Sequence, residues 1–111
     1  VTTLAKWITV TDAGLSLTVG YFTTFIAWSE IDAISVYKVD RFTYDSVCLA
    51  FRCGECWHAC DEEDHGFSDL FSAIQRHFPS VDPKWYDRVL QPAFESDERV
   101  LFEREPSDAS H

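Results

Sequence analysis

All four cysteines of this chain fall in one stretch, "CLAFRCGECWHAC", from Cys48 to Cys60. Their C-x4-C-x2-C-x3-C spacing is superficially that of a cluster-binding run. The surrounding residues, however, read as two short strands with Gly54 and Glu55 at or near the tip of a hairpin. Positions two apart on a strand are already ~6–7 Å apart, so four sulfurs on such a hairpin do not converge on one ion. A helix start, which would lower a thiol pKa in a C-x-x-C redox motif, is missing as well, because strands flank C-G-E-C.

Two strand registers remain. A two-residue turn sets Cys53 opposite Cys56 and points Cys48 to the other face. A loop of three or five residues pairs Phe51 with Trp57, Leu49 with Ala59 and Cys48 with Cys60. The second puts Val47, Leu49, Phe51, Trp57 and Ala59 on one apolar face, and alternation that serves the core favours it. Cys48, Cys60 and His58 then share the outer face. That trio defines an alternative reading, a small metal- or redox-handling protein. The plainer reading is thiols packed as small apolar side chains, with a Cys48–Cys60 bridge forming only under oxidation.

No other constellation suggests a reaction. The acidic run "DEEDH", Asp61 to His65, lacks the spaced acids, turn glycine and closing Glu of a calcium loop, and reads as the charged start of a helix. His58, His65, His77 and His111 face no nucleophile in an elbow motif, and Gly14, Gly20, Gly54 and Gly66 form no phosphate loop. His77 is expected to meet the last carbonyls of its helix. No catalytic, cofactor-binding or metal-binding residue is assigned, and no cofactor is expected. Trp7, Trp28, Trp57 and Trp85 are expected in the core, and any one left exposed would suggest a binding face.

The elements that must position these residues change character near residue 61. "AKWITV", "LSLTV" and "TTFIAW" read as three strands, separated by turns at "TDAG" and Gly20. In "SEIDAISVYKVD", Ser29 and Asp32 have the spacing of a helix cap, but Ile34–Val39 is β-branched and aromatic and favours a strand. "RFTYD" is a turn before the cysteine hairpin. Phe67, Leu70, Phe71, Ile74 and Phe78 then form one stripe of an amphipathic helix, stopped by Pro79. Asp82 as a cap and Pro83 at the first helical position predict a second short helix ended by Pro92. "ERVLFER" suggests a last strand. Strands followed by helix make the fold class α+β, a single domain over 1–104 with a polar tail at 105–111.

Two N-terminal hairpins, "FIAWSEIDAISVYK" leading into further strands, and then an amphipathic helix: this order resembles the bacterial pleckstrin-homology-like (PH-like) domains. The likeness covers about residues 4–78. It rests on Trp28, Glu30, Ile31 and Ile34, which match the group where a strand ends and the next begins. "GFSDLFSAIQRHFPSVDPKWYDRVLQPAF" resembles the tail of small bacterial proteins of this kind. The resemblance implies a sandwich or partial barrel of two bent antiparallel sheets, with the helix Phe67–Phe78 plugging one end. Six strands precede the helix here instead of seven, and a helix and strand follow it. Lipid-binding members use a basic strand 1–2 loop. The corresponding "TDAG" is acidic, so phosphoinositide binding does not carry over.

Charge narrows the partners. The 111 residues have a net charge of −10. Residues 1–54 hold five acids against four bases, and residues 55–111 hold fourteen against five. Such a field repels phosphate backbones and anionic lipid heads, and favours a basic protein. No run is long enough for a membrane helix, and no signal peptide is evident. The chain begins at Val1 and lacks Met, which predicts a trimmed natural start. The expected function is a non-enzymatic, cytoplasmic protein-interaction domain that uses an acidic face or a sheet edge to hold another protein, a basic one being the better candidate.

Overall fold

A computed structural model describes residues 6–40, 45–90 and 99–104. The element order is β1 (Lys6–Val10), β2 (Gly14–Val19), β3 (Phe22–Ala27), a 3-10 turn (Trp28–Glu30), β4 (Ala33–Asp40), β5 (Asp45–Cys53), β6 (Cys56–Asp61), α1 (Asp69–His77), α2 (Trp85–Val89) and β7 (Arg99–Glu103). The strands form two antiparallel sheets, β1-β2-β3 and β6-β5-β4-β7.

The first sheet follows its alternation. Ile8, Leu15, Leu17 and Ile26 pair across the ladder and are buried, while Trp7, Thr9, Thr23 and Phe25 on the opposite face are exposed. Trp28 then turns the chain. Its indole Nε1 donates to the Thr11 carbonyl at 2.9 Å, which satisfies the one polar atom of a side chain only 6% exposed. In the second sheet Ile34, Val36, Val47, Leu49 and Phe51 share the inner face and are fully buried. Residues of both sheets, α1 and α2 belong to one hydrophobic core.

The amphipathic stripe of α1 divides between two surfaces. Phe67, Leu70, Ile74 and Phe78 are buried in the core. Phe71 is only partly buried and stacks on Trp85 at 5.1 Å between ring centres, so it holds α2 instead. The helix occupies Asp69–His77, inside the expected Phe67–Phe78. Six strands precede it, and β7 follows, pairing with β4 across a bulge between Ile34 and Ser35.

Three expectations need correction. The acids Asp61 to Asp64 do not adjoin the helix: Asp61 ends β6, and turns separate the run from Asp69. α2 begins at Trp85 and not at Pro83. Asp82 organises the preceding turn, accepting from the Lys84 N–H at 2.9 Å and pairing with the Arg88 guanidinium, which together hold its carboxyl below the usual range. His77 stacks on Trp28 at 4.6 Å between ring centres, so it serves the core edge and not the helix carbonyls. The "RFTYD" turn over 41–44, Pro92 and the 105–111 tail lie outside the described residues.

Candidate functional site

The cysteine hairpin has the tight turn. Cys53 lies opposite Cys56, Phe51 opposite His58, Leu49 opposite Cys60, and Cys48 opposite Asp61. The favoured odd-length loop is therefore overturned. Gly54 takes a φ of 63°, the left-handed region that a two-residue turn asks of its first position. Its N–H donates to Asp32 Oδ2 at 2.9 Å, which ties the tip to the start of β4.

That register separates the trio named from the sequence. Cys60 and His58 lie on the face of Leu49 and Phe51, whereas Cys48, one position out of phase, lies on the other. Cys48 and Cys60 are buried and are not facing neighbours. Among the described residues no group of three or more His, Cys, Asp or Glu side chains is placed to hold a metal ion. All four cysteines are free thiols. Trp57 follows the outward face with Arg52, whose guanidinium sits 5.9 Å over its ring, and is half exposed.

The acidic run also has internal work. Glu62 Oε1 accepts from the Val47 N–H at 2.9 Å, and Glu62 Oε2 from the Tyr86 hydroxyl at 2.9 Å. Asp64 accepts from the Asp61 N–H and Asp61 from the Glu63 N–H, each at 2.9 Å. Three of the four acids thus close turns and hold α2 to β5. Two shallow depressions, of about 250 and 420 Å³, flank His77. The cations beside them are engaged: Arg76 pairs with Asp12 at 2.8 Å, and Arg104 donates to the Ile31 carbonyl at 2.9 Å.

Sequence reasoning expects a sheet edge as one binding surface without saying which; among the described residues the first sheet offers the open one at β3. Tyr21 and Phe22, at the β2–β3 turn, are 102% and 82% exposed, and Trp7 and Phe25 are about half exposed. No charged residue occurs from Ala13 to Ser29. Among the described residues β3 pairs only with β2, in unbroken register from Gly14–Ala27 to Val19–Phe22. Residues flanking a two-residue hairpin turn share ladder bonds, so Phe22, Thr24 and Ile26 direct their backbone groups to β2. Thr23 and Phe25 direct theirs outward.

Edge strands are commonly blunted by Lys, Pro or a bulge. β7 carries Arg99, Glu103 and a bulge in its pairing, and β6 carries Asp61 and His58. β3 has none of these. The signal that locates this edge is the uncharged run itself, which alternation alone reads as ordinary core-forming strands. Compared with known proteins, the chain matches no protein family, no curated protein and no solved structure.

Proposed function

We propose that this chain is a non-enzymatic protein-interaction domain on a PH-like scaffold, and that an extended segment of a basic protein adds to it as a strand along β3. The carrying observation is the uncharged, unblunted β3 edge with exposed aromatic side chains beside it. Main-chain pairing supplies affinity in strand addition, and alternate side chains supply specificity. Charge selects the partner: a net of −10 draws a basic protein over about a Debye length, while no charge from Ala13 to Ser29 hinders the contact itself. The two antiparallel sheets and the core-facing helix α1 support the scaffold reading.

Phe25→Pro tests the edge. It removes one outward N–H and leaves the β2–β3 ladder its donors, so the variant should fold yet lose the partner that the parent captures from native lysate. Phe25→Lys should weaken capture through the same edge. Affinity of the isolated partner should fall as salt rises. Capture unchanged by Phe25→Pro would remove β3 from the interface, and affinity flat with salt would remove the acidic field.

A further inference from the structure

Of the four thiols, only Cys53 and Cys56 stand directly opposite each other. They form the last rung of the β5–β6 ladder, with only Gly54 and Glu55 between them. Paired positions carry their side chains on the same face. Cα atoms of a hydrogen-bonded antiparallel pair are ~5.5 Å apart, inside the range a disulfide accepts. Cys56 is exposed and Cys53 half-buried, so a solution reagent reaches the pair. Cys48 and Cys60 are buried, and neither faces another thiol.

We propose that Cys53 and Cys56 are a reversible dithiol site that reacts with small-molecule disulfides and closes into an intramolecular disulfide across the hairpin turn. In the first step the Cys56 thiolate attacks one sulfur of the reagent, giving a mixed disulfide and releasing one thiol. Cys53 then yields its proton to solvent, and its sulfur attacks Cys56 Sγ and displaces the second thiol. The two cysteines lose two electrons and two protons, and the reagent becomes two thiols. Burial, and then the Glu30 and Asp32 carboxylates, raise the Cys53 pKa, so this second step is the slow one at neutral pH and quickens as pH rises.

The turn needs little rearrangement. Asp32 holds Gly54 N–H through its carboxylate and the Arg52 carbonyl through its own N–H at 2.7 Å. Cross-strand Cβ atoms are ~4.5–5.5 Å apart, wider than the ~3.5–4.5 Å of a relaxed disulfide. The bond therefore forms under tension and reopens readily with excess thiol.

The test uses the full chain with oxidised glutathione, followed by acid trapping, intact mass and peptide mapping. The expected product has lost two hydrogens and retains free Cys48 and Cys60. Cleavage after Glu55 separates Cys53 from Cys56 unless the disulfide joins them, so the linked peptide identifies the bond. Cys53→Ser should stop at a glutathione adduct on Cys56. In the parent that adduct should be transient, shorter-lived at higher pH, and the closed form should revert in excess reduced glutathione. A lasting adduct on Cys56 in the parent, a crosslink to Cys48 or Cys60, or no reaction at the pair would each overturn the proposal.

Discussion

In the three-stranded sheet the residues that alternate with the core, Trp7, Thr9, Thr23 and Phe25, stand in solvent. Their counterparts on the central strands β4 and β5 of the four-stranded sheet, Ala33, Ser35, Cys48 and Ala50, are buried although they point away from the inner face, while Trp57 and Ala59 on the edge strand β6 are exposed. A sheet with one wet face announces its register through alternation. One buried on both faces is written in near-continuous small and apolar residues, where a one-residue slip leaves the apparent pattern almost unchanged. The first sheet is thus easy to read and open to solvent on its outer face. The centre of the second, β4 and β5, is hard to read and closed.

The largest expected effect separates the two directly. Phe51→Ala opens a hole under a side chain with no exposure, and should cost about 3–5 kcal/mol. Phe25→Ala, half exposed on the first sheet, should change stability by about 0.5 kcal/mol or less. Denaturant midpoints that moved equally would contradict the division into a closed and an open sheet.

A second pair of substitutions sharpens the comparison at two glycines. Gly66, at φ 89°, lies beside β1, and an added Cβ would sit 2.1 Å from the Ile8 carbonyl oxygen. Gly66→Ala should therefore cost about 3 kcal/mol, as strain and a backbone clash combine. Gly54, at φ 63° on the cysteine hairpin, has nothing within 4 Å of that position. Gly54→Ala should cost only about 1–2 kcal/mol for the left-handed backbone. Equal thermal shifts would show that the contact between β1 and the loop after β6 yields easily.

A further, pH-dependent effect belongs to the bond that ties α2 to Glu62 in the turn after β6. Burial, then the hydrogen bond to Glu62, raise the Tyr86 pKa above its usual value. A raised folded-state pKa gives stability that is full below the unfolded value, about 10, and is lost as pH climbs through the folded one. Tyr86→Phe should lose about 1 kcal/mol at neutral pH and show a shallower alkaline decline than the parent. Parallel curves above pH ~10 would mean that the phenol does not carry this linkage.

Much of the architecture was legible in particular residues. Leu15, Leu17 and Val19 mark β2, and Phe67, Leu70, Ile74 and Phe78 mark the core side of the helix. The cysteine hairpin existed where expected, but its register did not follow. Val47, Leu49 and Phe51 are buried in either register, so the choice hung on Trp57, whose size argued for burial. Trp57 instead stands half exposed on the outward face beside Arg52, and the positive φ of Gly54 accompanies the tight turn. Phe71 was assigned to the core because helical spacing cannot distinguish a sheet from a second helix as the covering surface. The β3 edge was legible only in part: the uncharged run from Ala13 to Ser29 marks it, but openness depends on which strands pair, which no local residue pattern states.

The short parallel bridge between Trp7 and His65, with Ile8 N–H donating to the His65 carbonyl at 2.7 Å, gives the open sheet a polarity. A sheet with two bare margins can recruit strands from both sides and grow without limit, as fibrils do. Here the β1 margin is stoppered at Ile8 by the loop that precedes α1. Under the proposed strand addition at β3, the opposite margin would offer no matching start for a further strand at Ile8. The proposed interaction would then give finite complexes in place of polymers, although the exposed aromatic side chains border the sheet.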